Sequence, residues 1–198
     1  NVKTAGMTVN RWCGSSMQSV HIAAGAISMG AGKAFISCGV ESMSRVPMLG
    51  FNPMPHPDLL ENNPNVYLSM GTTAENVAKK YQLTRKSQQD FAILSHQKAS
   101  AAQSSGKFDD EIITINQCSK DGGIRPSTNH EVLDGLKLAF DENGTITAGT
   151  SSPFTDGAAA TLICEEEYAK QNNWDNNNLT IAISTKEFSD FLLNEQYK

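Results

Sequence analysis

Cysteine is scarce in this chain. Four are spread over 198 residues, Cys13, Cys38, Cys118 and Cys164, with no Cys-x-x-Cys spacing. That pattern argues against a structural zinc site and a disulfide framework, so no metal is expected and reduced thiols in a cytosol-like compartment fit best. No apolar run reaches the ~18 residues that a membrane span needs. Lysine and arginine number 16 against 21 acids, for a net charge of −5, and form no dense run. A nucleic-acid partner is therefore not indicated. No signal-peptide pattern opens the chain. The first residue is Asn1 and 2–9 already reads as interior sequence, which leads us to expect a piece of a longer protein. With 39% hydrophobic and 19% charged residues, the composition suits a globular protein of one large or two small domains.

Against this background Val9-Asn10-Arg11-Trp12-Cys13-Gly14-Ser15-Ser16 stands out. A lone cysteine is followed by small residues and then by an apolar periodic run from Met17 to Met29. This spacing places the thiol in the first turn of a helix. The free N–H groups and positive dipole end there favour an anion, and the thiolate is the nucleophilic form of cysteine. A buried structural cysteine beside a helix start is the alternative.

Coarse reading gives an α/β chain. Met7–Asn10 reads as a short strand, followed by the slim alanine-rich helix stopped at Gly30-Ala31-Gly32, then Lys33–Val40 as a buried strand. Five of seven prolines fall between Pro47 and Pro64, so 47–67 is expected to be an irregular excursion. Helices follow, one capped by Thr72 or Thr73, one opened by Thr84 and ended by Gly106, and a short one over Glu131–Phe140. Strands are expected at Asp110–Ile115, Thr145–Ala148, Ala158–Cys164 and Leu179–Ser184, the third covered on both faces. A helix begins at Glu165, and Thr185–Lys198 could form an amphipathic one.

Five stretches occur in order: Val9–Cys13, Gly39-Val40-Glu41-Ser42-Met43-Ser44, Met70-Gly71-Thr72-Thr73-Ala74-Glu75, Ser95-His96-Gln97-Lys98-Ala99, and Gly144–Pro153 leading into Asp156-Gly157-Ala158-Ala159-Ala160. Together they resemble the thiolases, most closely 3-ketoacyl-CoA thiolases, from about Val2 to Ser184. The resemblance implies a layered α/β/α/β/α thiolase-like fold, here incomplete. Residues 1–45 and 144–184 would form part of the first half, 46–143 an inserted loop domain, and 185–198 a divergent tail. It implies acyl transfer in fatty-acid β-oxidation or the reverse condensation, with Cys13 as the catalytic nucleophile. Coenzyme A would be a co-substrate rather than a permanently bound cofactor. Acyl-CoA and coenzyme A would be the small-molecule partners, and the full-length protein a homodimer or homotetramer. The compartment implied is the cytoplasm, with mitochondrion and peroxisome open.

By the same resemblance, Ala148 and Ser152 would face the pantetheine, Met70 would lie near its reactive end, and Arg125 near the nucleotide. A guanidinium suits phosphate or adenine stacking, although Arg125 also reads as a solvated loop residue. Thr150 replaces the asparagine usual in this loop. Thiolases also carry a Gly-His-Pro histidine and a Cys-x-Gly-x-Gly cysteine, and this chain has neither motif. Of its histidines, His21 reads as a packing residue, His56 and His130 as surface residues, and His96 as structural. Cys38 reads as strand core, Cys118 as loop, and Cys164 as a strand end. A ketoacyl synthase is a competing enzyme reading, opposed by the 39–44 and 70–75 stretches. A non-catalytic module binding acyl-CoA or a partner subunit is the other alternative.

Overall fold

The computed structural model describes residues 3–174, so the strand expected at 179–184 and the tail 185–198 lie outside it. The chain divides into two compact units. One combines the segments up to Met48 and from Thr155 onward; the other runs Leu49–Phe154.

In the first unit, α1 (Ser15–Ser28) precedes β1 (Ala34–Ser42). The chain returns as β2 (Asp156–Cys164) and ends in α6 (Glu166–Gln171), numbered after the four helices of the other unit. β1 and β2 pair antiparallel, from Ala34 opposite Cys164 to Ser42 opposite Asp156. Alternate residues of β1 face α1, and the approach is close because the residues are small. The Ser19 and Ser37 hydroxyls hydrogen-bond at 2.5 Å. Gly39 lies so near the Ser16 hydroxyl that a Cβ there would overlap it. Ala23 and Ala24 of α1 are buried, as are Ile163, Cys164 and Ala169.

The opposite sheet face departs from expectation. Ile36 and Val40 are 72% and 82% exposed, Cys38 is exposed too, and in β2 burial is confined to Ile163 and Cys164. Among the described residues α1 covers one face of the ladder and nothing comparable covers the other. The strand expected to be covered on both faces is therefore covered on one, and Cys38 is not a core residue. Met7–Asn10 forms no strand either, having no ladder partner among the described residues.

The second unit carries α2 (Pro57–Asn62), α3 (Met70–Tyr81), α4 (Arg85–Ser104) and α5 (His130–Asp134). Prolines organise part of the 47–67 excursion instead of only breaking it. Pro57 opens α2, and Pro64 opens a 3-10 turn over Pro64–Tyr67; at a helix start the missing N–H costs nothing. The cap of α3 is Ser69, three or four residues earlier than the expected Thr72 or Thr73, its Oγ accepting from Thr72 N at 3.1 Å. Thr84 caps α4 as expected, accepting from Ser87 N at 3.1 Å. The strand expected at 110–115 is absent: 110–111 close a turn, 112–114 are irregular, and Ile115 opens a tight turn. Ile115 and Cys118 exchange backbone hydrogen bonds of 3.1 and 2.9 Å around Asn116 and Gln117, whose φ values are +49° and +67°.

α5 stops at Gly135, well short of Phe140. Leu138 bridges Thr147 instead, and Ala139 N donates to Ile146 O at 2.9 Å. The strand expected at 145–148 is thus one bridge followed by a 3-10 turn over Ala148–Thr150.

Candidate functional site

Cys13 lies immediately before Gly14, the N-terminal cap of α1. The thiol therefore precedes the helix instead of sitting in its first turn. The shift has a local cause. Gly14 N donates to Arg11 O and Ser15 N to Trp12 O, both at 3.0 Å, so a turn occupies the residues expected to be helical. Trp12 has φ +48°, a left-handed conformation uncommon for a bulky residue and costing of the order of 1–3 kcal/mol. A set of short-range hydrogen bonds holds it. Trp12 N donates to Asn10 Oδ1 at 3.0 Å, Arg11 N to Ser15 Oγ at 2.7 Å, and Ser15 Oγ to Trp12 O at 2.7 Å. Arg11 Nη1 reaches Gln18 Oε1 at 2.7 Å. Cys13 is exposed on this turn, directly ahead of the helix's free N–H groups. Among the described residues, Cys13 is thus exposed and not part of a core.

The other four candidates belong to the second unit. Met70 is the first residue of α3 and is 71% exposed. Ala148 opens the 3-10 turn and Ser152 follows it, both exposed. The Thr150 hydroxyl accepts from Thr147 N at 3.1 Å and donates to Thr147 O at 3.2 Å, so threonine at this position still ties the loop to itself. Arg125 is exposed. Its backbone N donates to His96 Nδ1 at 3.2 Å and its Nη1 to Gly123 O at 3.2 Å. His96 thus has the structural part expected of it. His130 bonds Asp90 at 2.8 Å and meets Gln89 at 3.3 Å. His56 caps α2.

Three groups that carry structure escaped the sequence reading. Glu75 on α3 is 8% exposed. Its Oε1 accepts from Ile146 N at 2.9 Å and Thr145 N at 3.1 Å, and its Oε2 from Thr145 N at 3.0 Å and Thr145 Oγ1 at 3.3 Å. Gly144 leaves room, since a Cβ there would overlap the carboxylate. Arg85 Nη2 donates to the carbonyls of Leu133, Asp134 and Leu136 at 2.9, 3.1 and 2.9 Å. In the first unit, Asp156 accepts from Ser44 N at 2.9 Å and from the Ser44 hydroxyl. Those donors, the hydroxyl foremost, hold the Asp156 carboxyl below its ordinary range. Asp90 is likewise lowered, first by Lys86. Burial raises the Cys164 thiol. For Glu75 a signal was present: it lies three residues before the buried Ala78, a spacing that shares one helix face.

Among the described residues no three His, Cys, Asp or Glu side chains converge to hold a metal ion, and no helix is long and apolar enough to cross a membrane.

Comparison with known proteins gives one consistent answer. Residues 1–167 match the family model for the thiolase N-terminal domain. The chain is 43% identical over 180 residues to a 3-ketoacyl-CoA thiolase of Bacillus subtilis, covering 82% of this chain and 46% of that protein. It is 46% identical over 182 residues to one from Shewanella loihica, covering 85% and 46%. Among solved structures it resembles the dimeric peroxisomal thiolase of Saccharomyces cerevisiae, with TM-score 0.76, 35% identity and coverage of 84% of this chain and 45% of that one. It also resembles human mitochondrial 3-ketoacyl-CoA thiolase in complex with CoA, with TM-score 0.73, 32% identity and coverage of 87% and 48%. The chain thus spans about half the length of the relatives it matches.

Proposed function

Because the chain belongs to the thiolase family, we propose that Cys13 is the acyl-carrying nucleophile of a 3-ketoacyl-CoA thiolase whose remaining catalytic groups lie outside these 198 residues. One observation carries the reading: an exposed thiol presented on a strained turn directly ahead of a helix N-terminus. Strain of this kind concentrates at functional sites.

The chemistry follows from the thiolate. It attacks the keto carbon of a 3-ketoacyl-CoA. The bond between that carbon and the neighbouring α-carbon breaks, and its electron pair leaves with acetyl-CoA as an enolate, which takes up a proton. The acyl group remains on Cys13 as a thioester. Coenzyme A, deprotonated at its thiol, then attacks the acyl carbon and releases Cys13. Two modest steps replace one difficult one. The enolate oxygen needs positioned donors, each worth about 3–4 kcal/mol, and the proton transfers need a base. The Gly-His-Pro and Cys-x-Gly-x-Gly motifs do not occur in these residues, and in this reading those parts fall to segments equivalent to the other half of the relatives.

Coenzyme A is the natural ligand of the second unit in this reading. Met70, Ala148 and Ser152 would contact its pantetheine and Arg125 its phosphates, all four being exposed. Most of the proposed inserted loop domain, 46–143, falls in the compact unit Leu49–Phe154. A relative's description as dimeric favours a dimer for the complete polypeptide, and the exposed thiols favour a reducing compartment such as the cytoplasm.

The test is acylation. The complete polypeptide carrying this sequence is incubated with acetyl-CoA, and the acetyl group is mapped by peptide mass. The label is expected on Cys13 and is expected to vanish in Cys13→Ser. A label on another thiol refutes the assignment. Tight coenzyme A binding with no acylation supports the non-catalytic module instead.

A further inference from the structure

The side-chain network of the second unit points to a residue that arranges the proposed coenzyme A surface without touching it. Glu75 is a nearly buried carboxylate, 8% exposed, and no cation pairs with it among the described ion pairs. A buried carboxylate without a counter-charge is costly unless hydrogen bonds replace water. Here they do: it draws two backbone N–H groups and a hydroxyl from the adjacent residues Thr145 and Ile146. Gln88 of α4 completes the arrangement, its Nε2 donating to Thr145 Oγ1 at 2.9 Å.

What these bonds join matters. Glu75 stands five residues along α3 from Met70. Thr145 and Ile146 lead directly into the turn bearing Ala148 and Ser152, and Thr147 between them is 1% exposed. The turn has little regular structure of its own, a 3-10 turn of three residues. One carboxylate therefore ties the helix that begins at Met70 to the turn carrying the other two candidates. We propose that Glu75 is a positioning residue for coenzyme A, fixing the 147–152 turn against α3. The inference rests on the coenzyme A reading given above.

Glu75→Gln keeps the side chain's size but turns one acceptor oxygen into a donor, so Thr145 N and Ile146 N share a single neutral acceptor. Hydrogen bonds to charged groups are about twice as strong as neutral ones. The complete polypeptide is titrated with coenzyme A, and amide exchange is followed through 145–152. Glu75→Gln is expected to weaken binding about ten-fold, a loss typical of one charge-assisted hydrogen bond, and to speed exchange through this turn with exchange in α1 unchanged. Glu75→Ala is expected to weaken binding further. The decisive readout is coupling. If Glu75 acts through the turn, Ser152→Ala loses most of its own effect on binding in the Glu75→Gln background. Fully additive effects, or wild-type affinity in Glu75→Gln, overturn the proposal. Exchange through 145–152 unchanged in Glu75→Gln does so even if Glu75→Ala fails to fold. If the wild type binds no coenzyme A, the functional reading falls instead, while the exchange measurement still decides whether the carboxylate holds the turn.

Discussion

Gly39→Ala probes how closely α1 is pressed against β1. The added Cβ would overlap the Ser16 hydroxyl yet stand 3.7 Å from Ser16 Cβ, an ordinary van der Waals distance. The whole obstacle is one oxygen on one rotatable bond. Turning it away costs about 0.5–1.5 kcal/mol in rotamer energy, whereas moving the helix would cost about 1–3 kcal/mol as overpacking does. Rotation is the cheaper relief; set against the roughly 0.4–1 kcal/mol that alanine gains by narrowing the unfolded ensemble, it leaves Gly39→Ala close to neutral, with a loss of at most about 1 kcal/mol. Removing the hydroxyl removes the penalty. In a Ser16→Ala background Gly39→Ala should be neutral or stabilising by about 0.4–1 kcal/mol, because alanine narrows the unfolded ensemble. Urea unfolding of the four chains of this cycle at equal m-values measures the coupling. Equal destabilisation in both backgrounds would refute the reasoning, since the helix itself would then be what the Cβ displaces.

The clasp between Asp156 and Ser44 should be acid-sensitive. Its folded-state carboxyl is lowered, so its contribution is present above the ordinary carboxylate range near pH ~3.9 and disappears as pH falls through the lower folded value. The Ser44 amide shift, followed by NMR, is expected to titrate below that range and to lose this step in Asp156→Asn. Thiol access should split three to one: Cys13, Cys38 and Cys118 are exposed and Cys164 is buried, its thiol raised by that burial. Timed alkylation with mass mapping is expected to modify Cys164 only on unfolding. Arg85→Lys should destabilise the second unit by about 1–3 kcal/mol in thermal or urea unfolding, because a compact ammonium cannot reproduce the guanidinium's reach to three carbonyls; a wild-type midpoint would contradict this.

Some elements were legible because one local rule governed them. Thr84 ahead of an apolar-periodic run announced α4, and the unbroken apolar stretch to Cys164 announced β2. Others depended on distant partners. Met7–Asn10 has strand-forming residues but no ladder neighbour among the described residues, and Cys38 looked like core because its covering layer was assumed. Caps were ambiguous where hydroxyls crowd: Ser69, Thr72 and Thr73 all qualify, and backbone geometry selects Ser69. At the candidate site the placement of Cys13 at a helix start was readable from the small residues after it, but its offset from the helix was not. That offset follows from a tryptophan with positive φ, a conformation its side chain gives no reason to expect. Glu75 was visible within its motif, yet its role appears only once 144–146 is folded against α3.

The bonds around Trp12 link only residues between Asn10 and Gln18. The segment that presents the sulfur is therefore wired to itself and travels with α1 as a cassette. Lesions remote from it can lower the protein's abundance while sparing the presentation of the Cys13 thiol. Changes at Asn10 or Ser15 would do the reverse, leaving a folded chain whose sulfur is aimed elsewhere.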